Sequence, residues 1–353
     1  MKSDVNKIYK IDKAYISFIA IIIAYLLTAI IATIPFPIKY NWELQIERFL
    51  ISIIAGPIFA FFAYAIYVMT IVRPARLTRT LVADTRNYLT RSRITNALPI
   101  LILFPIFTTT FTYFKVAIAT INPYSWDSKL SAYDFMIHGG VYPWEWLHPI
   151  VGYPFVSSSI NFLYHLWFFF MYATVYWLAF STNMQSLRMH FLLSFVLSWI
   201  VLGTIVATAF SSVGPCYYGD IVPGENPYDG LMNYLHRASA HAPMWALDVQ
   251  KMLWDEYQNQ TAVLGISAMP SMHVATSVLL ALLGLQINRK LGIALTIYAA
   301  IIMVGSVHLG WHYAVDGYIG AIGAYMIWRI VGWALSYSTQ QKILSTALPH
   351  PTH

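Results

Sequence analysis

Hydrophobic positions in this chain come in long, nearly unbroken runs, and polar residues gather in the short segments between them. That is the pattern of helices buried on every side, not of helices with one wet face. Eight runs are read, at approximately 14–36, 49–72, 97–121, 160–180, 191–210, 272–287, 291–305 and 313–336. A span needs about 20 apolar residues to cross the hydrocarbon core. The sixth and seventh runs fall short of that, so their helices are expected to begin in the loops before them. The first run follows MKSDVNKIYKIDK without a small-residue cleavage site, which reads as a retained span and not a signal peptide. No repeat, low-complexity tract or linker interrupts the chain, so the expectation is one membrane domain, 1–353, all-α: a polytopic helix bundle of about eight spans.

Composition agrees. The chain is 58% hydrophobic and 10% charged, against roughly a quarter charged in soluble domains. The net charge of +6 does not point to nucleic acid, because the cations collect in a few inter-span segments. Arg73, Arg76, Arg79, Arg86, Arg91 and Arg93 share one loop with Asp84, Lys2, Lys7, Lys10 and Lys13 precede the first span, Arg188 falls between the fourth and fifth, and Arg289 and Lys290 between the sixth and seventh. With eight spans these segments share one side, cytoplasmic by the positive-inside rule, and both termini join them. Cys216 is the single cysteine, so neither a disulfide within the chain nor a cysteine-based metal site is available.

Two long segments then lie on the non-cytoplasmic side, 122–159 and 211–269. Both are rich in Trp, Tyr, Pro and Gly, as in INPYSWD, YPWEWLHP and GPCYYGD. They read as an aromatic belt at the membrane interface or as a lid over a site there. Trp126, Asp127, Asp134 and His138 are candidates for headgroup contact, and Tyr217 of GPCYY for lining a headgroup pocket.

The chemistry concentrates in 211–320. GISAMPSMHVATS, 265–277, opens the sixth span, and GSVHLGWHYAVDGYIG, 305–320, joins the seventh to the eighth. Both fall on the non-cytoplasmic side. Pro270 suits the first turn of a helix. Ser271 and the free amides beside it would then offer an anion site at the positive end of the helix dipole, with His273 in the same turn. His312 and Asp316 stand four residues apart, on one face of a helix. Asp316 is expected to accept from one ring nitrogen of His312 and leave the other as a lone-pair donor. A nucleophile with an orienting carboxylate, an acid and an anion cradle make a phosphoryl-transfer set.

PSMH followed some forty residues later by HYAVD resembles the type 2 phosphatidic acid phosphatase superfamily. The HYAVD form is most similar to sphingomyelin synthases and inositol phosphorylceramide synthases, which are phosphotransferases. The resemblance implies that His312 attacks phosphorus to give a phosphohistidine, Asp316 orients it, His273 protonates the leaving oxygen and then activates water or an acceptor hydroxyl, and Ser271 binds phosphate oxygens. It implies no metal and no cofactor. Where the superfamily carries Ser-Arg ahead of its nucleophile, this chain has Gly305 and Ser306, so the phosphate-clamping arginine is missing. Lys115, separated by six residues from Asn122-Pro123, and Arg237 are the candidate replacements, and His308 is a further candidate donor.

The expected function is therefore a membrane lipid phosphatase or phospho-headgroup transferase acting on a lipid phosphate or phospholipid, with a possible hydroxyl acceptor. Its expected place is a bacterial inner membrane, with the site facing the periplasm or exterior. The alternative is a lipid-binding or lipid-transport protein that has lost catalysis.

Overall fold

The structure, a computed structural model, describes residues 13–36, 64–261 and 264–347 together with 43, 46, 47, 50, 51, 58, 61 and 62, with side chains as far as 337. The described residues are helical, with no strand among them. In chain order the helices are α1 (Lys13–Ala32), α2 (Leu77–Tyr88), α3 (Arg91–Ile121), α4 (Asp127–Ile137), α5 (Pro143–Val151), α6 (Pro154–Phe180), α7 (Gln185–Ala209), α8 (Asp229–Ser239), α9 (Trp245–Gln258), α10 (Met272–Ile287), α11 (Arg289–His308) and α12 (Ala314–Ala347). Two single turns at 215–221 precede α8.

Six of these, α1, α3, α6, α7, α11 and α12, are long and apolar enough to cross a membrane, and α10 is apolar but shorter. The second expected span, 49–72, falls partly outside the described residues, as do Lys2, Lys7 and Lys10; its end, 64–72, is helical and closes in a π turn at Val68–Val72. α1 shows why lipid is the solvent: it buries Phe18 and Ile22 yet exposes Ile16, Ile23, Leu27, Ile30 and Ile31, so it is apolar all round. The protein is an all-α polytopic membrane bundle.

Small and polar residues hold the spans together, as expected where lipid is as apolar as the helices. Tyr25 of α1 and Thr204 of α7 share a hydrogen bond of 2.7 Å. α10 and α11 form a tight hairpin in which a Cβ on Gly292 would stand 2.7 Å from the Cα of Leu285. Asn288 caps α11 by accepting from the Leu291 amide at 2.9 Å. α7 widens into a π turn at Val201–Val206, where a Cβ on Gly203 would stand 2.7 Å from the Phe111 ring. Arg188 is a correction to the sequence reading. It lies in the first turn of α7, buried, donating to the Asn96 carbonyl at 2.7 Å, and so works as an interhelical brace instead of a loop cation.

The two aromatic segments are a second departure. The sequence pattern predicts long loops there, but α4, α5, α8 and α9 fold over the end of the bundle where α10 and α12 begin. α5 starts with Pro143 at its first turn, and the Glu145 side chain returns to accept from the Tyr142 amide at 3.2 Å, a standard helix start. The signals were present but sat among aromatics that read equally well as an interfacial belt.

Candidate active site

The first histidine motif opens α10 at Met272, where the sixth run is expected to start, but without Pro270 in its first turn. Ser271 is the N-cap, with its Oγ accepting from the Val274 amide at 3.4 Å, and Pro270 stands outside the helix. Ser271 is fully buried and does not line the cavity described below, so its hydroxyl serves the helix end and not the cavity. The amides of Met272 and His273, at the positive end of the dipole, find no acceptor among the described residues. The His273 ring packs on Tyr164 and Trp167, with centroids 4.4 and 4.3 Å away. Neither of its nitrogens has a hydrogen-bond partner among the described residues.

His312 departs from the expected geometry in an informative way. α12 begins at Ala314, so His312 lies in the preceding turn and not on the helix. Its amide donates to the Ser306 carbonyl at 3.0 Å. Its Nδ1 contacts the carbonyl oxygen of Ala268 at 2.8 Å, while Asp316 Oδ2 stands 3.6 Å from the same nitrogen. A carbonyl can only accept, so Nδ1 carries the proton and Nε2 the lone pair. The tautomer is thus set by the Ala268 backbone, and the expectation that Asp316 sets it is corrected. Asp316 instead accepts from the Tyr313 amide at 3.0 Å, half of a capping box. It is fully buried, and its Oδ1 has no partner among the described residues. Ala268 is itself pinned, its amide donating to the Ser212 carbonyl at 3.0 Å. Burial pushes the His312 imidazole down to about 4, with nearby Lys115 adding to the shift and the Ala268 carbonyl opposing it. The ring is neutral at pH 7.

Two carboxylates that the sequence offered only as headgroup contacts turn out to hold this turn in place. Asp134 accepts from the amides of Ala314 and Val315 at 2.7 and 2.9 Å. Asp127 accepts from the amides of Val213 and Gly214 and from the Tyr313 hydroxyl, the last at 2.8 Å. Burial raises the pKa of both carboxyls, and the donated hydrogen bonds oppose the rise. The positive end of α12 is therefore sealed by Asp134, whereas that of α10 is open.

His273 and His312 face one another with ring centroids 6.0 Å apart, and both line a cavity of about 380 Å³. Lys115 of α3 and Tyr217 also reach its wall. Tyr217 is oriented by donating to the Gln250 carbonyl at 2.8 Å. The remaining candidates are not brought to it. Arg237 is exposed on α8, Ser306 lies fully buried behind His312, and His308 bonds through Nε2 to Ser157 Oγ at 2.8 Å. His138 pairs with the Tyr318 hydroxyl at 2.9 Å. Sequence reading missed His165, Thr108 and Thr112, which do line the cavity. They sit inside apolar spans, where single polar residues give little signal.

No curated protein and no solved structure matches the chain. The PAP2 superfamily model matches residues 128–330, a stretch that runs from α4 through both histidine motifs and into α12. With two histidines across one cavity, an open helix end beside them and more than half of the chain matched, the protein belongs to the PAP2 superfamily.

Proposed function

We propose that this protein is a lipid phosphatase or phospho-headgroup transferase that works through a phosphohistidine on Nε2 of His312. The observation that carries the proposal is the pairing of His273 and His312 at 6.0 Å across one cavity, with the Nδ1 proton of His312 committed to Ala268. A phosphorus atom about 3–3.5 Å from Nε2 is then poised for attack and within reach of His273. As the bond to Nε2 forms, His273 gives its proton to the leaving oxygen. The phosphorylated ring gains positive charge, which the Asp316 carboxylate, 3.6 Å from Nδ1, stabilises. The open amides of Met272 and His273, together with Lys115, take the phosphoryl oxygens in place of the missing arginine.

In the second half-reaction water or an alcohol attacks the phosphohistidine and gives its proton to His273, while the bond from phosphorus to Nε2 of His312 breaks and its electron pair returns to Nε2. The HYAVD form of the second motif, similar to that of phosphotransferases, favours the alcohol. By the positive-inside argument the site faces the non-cytoplasmic side, the periplasm or exterior if the host membrane is a bacterial inner membrane.

The test is direct. Purified protein incubated with phosphatidic acid radiolabelled in its phosphate and quenched in alkali should retain acid-labile, base-stable label. The His312→Ala variant should retain none, and His273→Ala should lose turnover. Undiminished turnover in His312→Ala overturns the proposal.

A further inference from the structure

The cavity has two chemically different ends. Lys115 offers N–H donors and no acceptor. One turn and two turns back along the same face of α3 stand Thr112 and Thr108, and across from them on α6 stands His165, all four lining the one cavity. The stripe from Thr108 to Lys115 spans roughly 10 Å at the helical rise.

The protons of this wall are already spent. The Thr108 hydroxyl donates to the Pro105 carbonyl at 3.0 Å and Thr112 to the Thr108 carbonyl at 2.9 Å. His165 Nδ1 contacts the Asn161 carbonyl at 2.8 Å, so that nitrogen carries the proton and Nε2 the lone pair. Nε2 has no partner among the described residues. What the wall can offer a ligand is therefore lone pairs. A phosphate, rich in acceptors, gains nothing there, and an ammonium group is disfavoured by Lys115 one turn away. A neutral hydroxyl is the group that fits, since it donates one proton and has no charge to place.

We propose that Thr112, His165 and Thr108 form the acceptor subsite, which takes the hydroxyl of an alcohol and holds it for transfer. The proposal rests on the phosphohistidine reading above and goes beyond it by assigning residues to the second substrate. In the step, the alcohol oxygen forms a bond to phosphorus while the bond from phosphorus to Nε2 of His312 breaks. The electron pair of that bond returns to Nε2, and the alcohol proton passes to His273. His165 and Thr112 bind the incoming alcohol and release it to the reaction without changing protonation themselves.

The probe is 1-octanol, added in increasing amounts to wild-type protein in detergent micelles with radiolabelled phosphatidic acid, scoring octyl phosphate against free phosphate. Protein-bound alkali-stable label, measured in the same samples, reports the phosphohistidine and corrects for folded fraction. Loss of one hydrogen bond lowers binding by roughly 3- to 10-fold. Thr112→Val and His165→Phe should each raise the half-saturating octanol concentration by about that factor, and His165→Gln, which keeps an acceptor, should restore most of it. Unchanged half-saturation in both variants overturns the subsite. Label without any octyl phosphate in the wild type also overturns it and leaves the phosphohistidine standing. Absence of label overturns both.

Discussion

Asp127 and Tyr313, 186 residues apart in sequence, meet side chain to side chain at 2.8 Å. This contact joins the cap helix α4 to the turn that carries His312. The same carboxylate takes the Val213 and Gly214 amides, so three backbone segments converge on one buried charge. Tyr313→Phe removes one neutral donor and should cost about 1 kcal/mol, whereas Asp127→Ala orphans two buried amides at about 1–3 kcal/mol each. Thermal unfolding in detergent should rank them in that order, with Asp127→Ala the less stable.

Asp316→Asn separates charge from orientation. In serine-protease triads the equivalent change costs about 10⁴-fold in rate because it disturbs the tautomer. Here the tautomer is held by Ala268 at 2.8 Å, so the loss should fall well short of that figure and appear in kcat with little change in KM. A kcat loss as large as in the triads would return the orienting role to Asp316.

The pH dependence follows from burial of His312. Its ring is held down to about 4, below the ordinary value of about 6.5. The neutral nucleophile therefore persists as pH falls from 7 to 5 and is lost only as pH passes through about 4. Stability has the same sign. Between about 6.5 and 4 the unfolded chain binds the proton that the folded protein refuses, so this contribution is complete above 6.5 and is lost on acidification toward 4. The rate of label incorporation, followed by rapid quench from pH 7.5 to 4, reads the first effect. A midpoint near 6.5 would contradict it.

Gly214→Ala should be among the most damaging single changes near the site. Gly214 has φ +95° and ψ 170°, a conformation essentially confined to glycine, with a strain of about 1–3 kcal/mol for other residues. An added Cβ would also stand 2.5 Å from the Trp311 carbonyl, next to the nucleophile. Expression and label incorporation should both fall. Gly224→Ala, at φ +106° with open space around it, should meet the strain alone and retain labelling.

What the sequence made legible was the part with strong, local signals. Long apolar runs, the side on which arginines collect and the two motifs are enough to bring His273 and His312 to the same end of the bundle. Three things were not legible, each for a physical reason. Ala268 acts through its carbonyl, and a backbone group leaves no mark in a residue name. Asp127 and Asp134, on a segment full of tyrosine and tryptophan, look like solvated acids until the chain folds back over them. Ser271 and Arg237 had the right chemistry for phosphate, but the helix cap claimed one and α8 turned the other outward.

His312 is anchored twice, by its amide to Ser306 and by its ring to Ala268, so it is a fixed post to which the phosphoryl group is delivered. Both histidines and the threonine-lined wall share one chamber. The departing half of the first molecule must therefore vacate that chamber before the second can settle. A high level of donor should then hold back the second reactant, so that the half-saturating level of the alcohol climbs as donor is added.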